Sequence, residues 1–391
     1  MVEKNMVKDL FLLNPEITFL NHGSFGSCPK SVFEEYQKWQ VKLENEPVRF
    51  TTKTGVVQLE KSKKALCDYV NCNVEDLVFV TNPSTAMNTV IKSLNLKEGD
   101  EILTTNLEYG AMDRTWKYYC KKSGAIYIQQ KISLPIIDKE EFLIEFWSGL
   151  SPKTKFVFLS EITSITALIF PIKEICEKAK SLGIKTIIDG AHVPGHIPLD
   201  IQSLDPDVYT GACHKWLLLP KGCSFLYVKK DIQPSIDPLI ISWGYESDNP
   251  SNSLFQDYHQ FQGTRDFSAF LCVPKALEFF QENNWEEEKR KCRELLHHYY
   301  PIVANEVNSN IICPVGDDFL GQICSFPIQT RSSIELKEIL YNQYKIEIPI
   351  MDSPTNSIYM RISFQAYNSS KEIEILINAL RDIKQKTSLI E

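Results

Sequence analysis

Two short motifs in the 391-residue chain hold side chains able to act as acid, base or nucleophile. The first is Asp189-Gly190-Ala191-His192, an acid directly behind the apolar run Thr186, Ile187, Ile188. A carboxylate in that position is partly buried and needs a cationic or hydrogen-bonding partner. The second is His214-Lys215-Trp216, just after the run 208–210. A lysine set between an imidazole and an indole can lose part of its water shell. Desolvation then lowers its pKa until the neutral amine is a usable nucleophile. A third segment, Thr81-Asn82-Pro83-Ser84-Thr85-Ala86, is a hydroxyl-rich turn opening a helix, where free N–H groups and the helix dipole favour a phosphate.

These motifs need elements to position them, and the chain supplies a regular alternation. Short β-branched runs at 77–80, 101–104, 125–128, 156–159, 186–188, 208–210 and 225–228 read as strands. Helical stretches are expected at 85–94, 111–123, 139–150 and 171–181, with Gly124 and Gly183 placed as C-caps. Strands alternating with helices predict a mostly parallel seven-stranded sheet covered on both faces, with ligands at its carboxyl edge. After about residue 265 the pattern changes to longer helices at 266–283, 285–305, 334–344 and 371–384 around strands at 323–326 and 357–363. The expected division is a large α/β domain over 17–264 and a smaller α+β domain over 265–391 joined by part of 1–16. Taken singly, an acid behind a strand is a satisfied turn residue and a strand-end lysine is a solvated charge. At successive strand ends of one sheet, the three features together suit one ligand with three handles. Pyridoxal 5′-phosphate (PLP) has them: a phosphate, a ring nitrogen needing a carboxylate, and an aldehyde needing an amine.

Composition narrows the alternatives. A net charge of −8 gives no broad attraction for nucleic acid, and 43% hydrophobic with 24% charged residues is an ordinary globular balance. No apolar run approaches the roughly 20 residues that span a bilayer. The charged N-terminal residues do not read as an export leader, so a cytoplasmic protein without membrane contact is expected. Eleven cysteines without a C-x-x-C spacing read as buried reduced thiols, with Cys213 a small filler beside the lysine. His192 and His196 have zinc-like spacing, but Pro194 and Gly195 between them break a helix, so no metal site is expected.

The motifs also resemble, in order, those of the class V aminotransferase family of fold-type I PLP enzymes, which includes cysteine desulfurases and isopenicillin N epimerase. The resemblance runs from residue 21 to about 368. It is carried by Phe19-Leu20-Asn21-His22-Gly23-Ser24-Phe25-Gly26-Ser27, Thr81-Asn82-Pro83-Ser84-Thr85-Ala86, Glu108-Tyr109-Gly110-Ala111, Pro171-Ile172, Ile188-Asp189-Gly190-Ala191-His192, His214-Lys215-Trp216, Gly263-Thr264-Arg265-Asp266 and Arg361-Ile362-Ser363. It implies that Lys215 carries PLP as a Schiff base and moves the Cα proton, and that Asp189 keeps the ring nitrogen protonated. It further implies that Ser84, Thr85 and His214 attend the phosphate, Tyr109 stacks on the ring, and His192 and Thr163 face the phenolic oxygen. Arg361 is implied as the clamp for the α-carboxylate of a small amino-acid substrate, with Arg49, Asn21 and Gly23 on the same side. Thr264 matches a position that reaches the partner's phosphate, which implies a homodimer with shared active sites.

The resemblance bears on the reaction as well. A desulfurase needs a mobile cysteine shortly before the carboxylate-binding arginine, and none lies between Tyr341 and Arg361. The stretch Ile346-Glu347-Ile348-Pro349-Ile350 is most similar to the isopenicillin N epimerase subgroup, which implies an epimerase or racemase. An L-cysteine desulfhydrase-type C–S lyase, giving sulfide, pyruvate and ammonia, is the alternative. An aminotransferase or a non-catalytic descendant of the fold is more distant.

Overall fold

Seven runs of β-branched and aromatic residues form one sheet, most of it buried on both faces. The computed structural model describes residues 7–354 and 356–390. Residues 1–6, on which part of the leader and small-domain expectations fall, lie outside the described residues. After a two-residue strand β1 (Thr18–Phe19) come β2 (Leu77–Val80), β3 (Glu101–Thr105), β4 (Ile126–Gln130), β5 (Thr154–Ser160), β6 (Lys185–Gly190), β7 (Val208–Ala212) and β8 (Ser224–Val228). Strands β2 to β8 lie in the spatial order β2-β8-β7-β6-β5-β3-β4. Each lies within two residues of its expected ends.

Every residue of β2, β7 and β8 is buried, while β4, at the rim, is only half-buried. The pairs β3–β4, β3–β5, β5–β6 and β6–β7 are parallel, and β8 runs antiparallel to both β7 and β2. Two reversals cancel, so the carboxyl end of β2 reaches the same edge as those of β6 and β7.

Helices Pro83–Ser93, Gly110–Ser123, Lys139–Trp147 and Ile172–Ser181 follow β2, β3, β4 and β5. The first begins two residues before its expected start, because Asn82 is the N-cap. Its side chain accepts from Thr85 N–H, and Pro83 sits in the first turn, where no donor is needed. Gly124 closes the second helix in the left-handed region at φ 78°. Two long helices that periodicity did not reach, Lys30–Asn45 and Gly55–Val70, precede the sheet. The former buries only Val32 fully, so its apolar stripe is faint.

In the C-terminal part, β9 (Ile323–Pro327), β10 (Ile346–Glu347), β11 (Ile350–Asp352) and β12 (Ile358–Ser363) follow helix Trp285–Glu306. Strands β11, β12 and β9 form an antiparallel sheet. The helix expected over 266–283 is shorter. A 3-10 turn, Phe270–Cys272, precedes the α-helix Val273–Glu282, whose Pro274 has no N–H and is tolerated only near a helix start. The N-terminal segment ties into this region. β1 pairs in parallel with β10, Asn21 bridges Ser363, and the Phe11 ring meets that of Tyr367 edge-on at 5.0 Å. That docking carries Gly23 and Ser24 to Arg361. No helix among the described residues is long and apolar enough to cross a membrane.

Candidate active site

Strand register alone aligns three polar residues at the carboxyl edge. Ser160 of β5 pairs with Asp189 of β6, and Asp189 with Thr210 of β7. The turns beyond this row enclose a cavity of about 350 Å³. Gly23, Ser84, Tyr109, Asp189, His192, His214, Lys215 and Arg361 all line it. Residues far apart in sequence therefore meet at one place.

Five of the expected residues do not line the cavity. Thr85 is occupied by its own cap, with its N–H and hydroxyl donating to Asn82 Oδ1 at 2.8 and 3.1 Å. Thr163 is buried, its hydroxyl paired with that of Thr166 at 2.7 Å and accepting from Leu168 N–H at 2.9 Å. Asn21 accepts from the Ser24 hydroxyl at 2.5 Å, and so orients a residue that does touch Arg361. Arg49 is exposed and lies 3.7 Å from Glu46, and Thr264 is exposed in a loop.

Lys215 Nζ lies 3.0 Å from His192 Nε2. Burial, and then the positive charge of Arg361, hold the ammonium well below its ordinary value, with Asp189 opposing. Asp189 is 3% exposed, and burial raises its pKa against the pull of Ala191 N–H, 3.0 Å away, and of Lys215. Burial also brings His214 down to about 4. Its Nδ1 donates to the Cys223 carbonyl at 3.1 Å, which leaves Nε2 as an acceptor.

Arg361 is 2% exposed, and burial alone lowers its pKa to about 10. Its Nη1 donates to Ser164 O at 2.6 Å and its Nη2 to Ser24 Oγ at 2.8 Å, while Nε is buried without a partner. No carboxylate pairs with it among the described residues. A buried, uncompensated guanidinium is costly, and an incoming anion would offset that cost. Gly23 keeps the fork open. A Cβ there would stand 2.6 Å from Ile323 Cδ1 and 3.7 Å from Arg361 Nη2.

Several functional residues were not anticipated. Gly26, at φ 69°, packs on the backbone of the lysine, since a Cβ there would lie 2.2 Å from His214 O and 2.8 Å from Lys215 Cα. The available signal was its place in the 19–27 motif. His22 Nε2 donates to the Lys215 carbonyl at 3.1 Å. Glu108 accepts from the Thr105 hydroxyl at 2.7 Å and from Ser160 N–H at 2.8 Å, tying the turn that bears Tyr109 to the end of β5.

Burial pushes the Glu108 carboxyl up to about 8, from an ordinary value of about 4.5. A raised carboxyl contributes stability that is complete below its unfolded pKa and is lost as pH climbs through the folded one. Glu108→Gln is therefore expected to flatten the fall in stability between pH 5 and pH 9. Relative to the parent, it should gain on the order of 3 kcal/mol at the alkaline end, read from denaturant unfolding at both pH values.

The eleven cysteines are free, ten of them buried and Cys72 half-buried. None lines the cavity. Among the described residues no group of three or more His, Cys, Asp or Glu is arranged to hold a metal ion.

Comparison with known proteins bears on this arrangement. The family model described as aminotransferase class-V matches residues 25–376. An isopenicillin N epimerase of Streptomyces clavuligerus is 29% identical over 380 residues, covering 94% of this chain and 95% of its own. A probable chloroplastic L-cysteine desulfhydrase of Arabidopsis thaliana is 25% identical over 402 residues, covering 95% and 83%. Among solved structures, the cystine C–S lyase C-DES in complex with its reaction product cysteine persulfide superposes with a TM-score of 0.81. It is 21% identical, covering 94% of this chain and 98% of its own, a likeness of fold.

Proposed function

The chain belongs to the class-V aminotransferase family, and on that premise we propose that it is a PLP enzyme acting at the Cα–H bond of a small amino acid, with epimerisation as its outcome. The observation that carries this reading is Lys215, an amine of depressed pKa lining one cavity with buried Asp189 and with Arg361, which no carboxylate among the described residues neutralises. The residues present fit PLP. Asp189 suits a protonated ring nitrogen and Lys215 an aldehyde. Ser84, in the first turn of its helix, borders the place for a phosphate, and His214 lines the same cavity. Tyr109, 45% exposed at the cavity wall, offers a ring face, and His192 lines the same cavity as an imidazole suited to a phenolic oxygen.

When bound, PLP supplies an aldehyde for an amine and a ring that withdraws electrons from Cα. Lys215 would hold the aldehyde and, when its amine is released, would be the base that takes the Cα proton, with epimerisation requiring a proton to be delivered to the opposite face. Arg361 binds the α-carboxylate with its fork, braced by Ser24 and Ser164. Arg361→Lys keeps the charge but loses the planar two-point geometry. It is expected to lower kcat/KM by about 10²-fold, mostly through KM, in steady-state assays. The greater identity to the epimerase than to the desulfhydrase supports epimerisation.

One observation favours the second reading, a C–S lyase. Beside Arg361 the wall carries Phe25, Ile162 and Met351, a surface suited to a small neutral side chain. Cysteine meets that description. Holoenzyme incubated with L-amino acids in heavy water decides between them. Cα deuterium in both enantiomers supports epimerisation, and sulfide with pyruvate and ammonia from cysteine supports the lyase. Neither exchange at Cα nor release of sulfide with any amino acid overturns both.

A homodimer with shared sites belongs to the same proposal. Thr264 lies outside its own chain's cavity, and the segment before it exposes Ile241 at 70% and Trp243 at 92%, apolar surface suited to a second copy.

A further inference from the structure

The imidazole facing Lys215 has its proton position set from behind. Trp216 Nε1 lies 3.3 Å from His192 Nδ1, and both side chains are buried. An indole N–H only donates, so Nδ1 must present its lone pair. Burial, above all, holds His192 well below an ordinary imidazole. The ring is therefore neutral, and its one proton sits on Nε2, the atom 3.0 Å from Lys215 Nζ. A lysine nitrogen can accept that hydrogen bond only through the lone pair of the free amine.

The neighbours leave Trp216 no competing partner. Its ring stacks on His196, with centroids 4.0 Å apart and planes at 18°, and lies 4.7 Å from His22. Both of those histidines are committed elsewhere. His196 Nε2 accepts from Gln322 N–H at 2.6 Å, so its Nδ1 donates to the His192 carbonyl at 2.9 Å. His22 donates from Nε2 to the Lys215 carbonyl, so its Nδ1 accepts from the Tyr367 hydroxyl at 2.8 Å.

We propose that Trp216 is a positioning residue whose indole N–H fixes His192 as the Nε2–H tautomer aimed at the Lys215 nitrogen, presenting that nitrogen as the free amine. This rests on the reading of Lys215 as the amine that holds an aldehyde. Trp216 is also among the largest fully buried side chains, so a packing role alone must be told apart.

Neutron diffraction from crystals of the full chain before PLP is added, exchanged in heavy water, reads the tautomer directly. Deuterium on His192 Nε2 with Nδ1 bare is the expected result. Deuterium on Nδ1 of the unaltered protein overturns the proposal, so the test does not depend on any variant folding. Trp216→Phe keeps an aromatic ring against His196 but removes the donor. It is expected to place deuterium on both ring nitrogens and to slow capture of added PLP about tenfold. A folded Trp216→Phe protein with Nε2 still singly deuterated and capture unchanged would equally overturn it. Failure of the unaltered protein to capture PLP counts against the function proposed above, and it is read separately, by visible absorbance.

Discussion

Replacing Lys215 with alanine is expected to abolish covalent capture of PLP and to cut turnover by about 10⁴-fold or more, while the protein stays folded. Both losses follow from one nitrogen. It is the amine that holds the aldehyde and the base at Cα, and among the residues lining the cavity it is the only primary amine. Folding should survive because the side chain holds little together. Its hydrogen bond is to His192, whereas the local backbone is secured by His22 and by the close approach of Gly26, neither of which needs the amine. Truncation also removes a buried polar amine beside Arg361, so thermal stability should be unchanged or slightly higher. Borohydride reduction followed by peptide mass analysis checks the assignment. The parent should carry the added mass on Lys215 and the variant nowhere. Turnover within tenfold of the parent, or a label on another lysine, would falsify the role given to Lys215.

What sequence made legible, and what it did not, divides along a physical line. Strands buried on both faces leave continuous apolar runs, so the polar residue ending each run stands out, as Asp189 does behind β6. Lys215 was legible for the same reason, and so was the convergence of both on one edge. Thr85 shows what local reading leaves unsaid. The Asn82-Pro83 pair is a strong helix-start signal, and the cap it forms engages the Thr85 N–H and hydroxyl. The braces on Arg361 were beyond reach. One is the backbone carbonyl of Ser164, and a carbonyl has no signature in residue type. The His22 bond to the Lys215 carbonyl joins positions 193 apart, which only the docking of the N-terminal segment on β10 and β12 brings together. Glu108 stands in the Glu108-Tyr109-Gly110-Ala111 motif, yet nothing local says that its carboxyl turns inward onto Thr105 and Ser160.

Asp189→Asn should separate the two duties that Lys215→Ala removes together. The amide is nearly isosteric and keeps an acceptor for Ala191 N–H, so the turn after β6 should hold. Only the negative charge is lost. Asp189 is the one group that opposes the downward shift of Lys215, so the amine should become easier still to deprotonate, and capture of PLP should persist. At the ring nitrogen, however, the countercharge is gone, and with it the fixed electrostatic support for negative charge developing at Cα. Removing a buried, preorganised charge of this kind typically costs about 10²–10³-fold in rate, and the Cα deuterium exchange rate should fall by about that factor. The expected signature is thus a fully loaded enzyme that exchanges slowly, opposite to an unloaded one. Exchange within a few-fold of the parent at equal loading would sink the role given to Asp189. Loss of loading with normal exchange per loaded site would instead make Asp189 an anchor for the cofactor, with no electrostatic part in the chemistry.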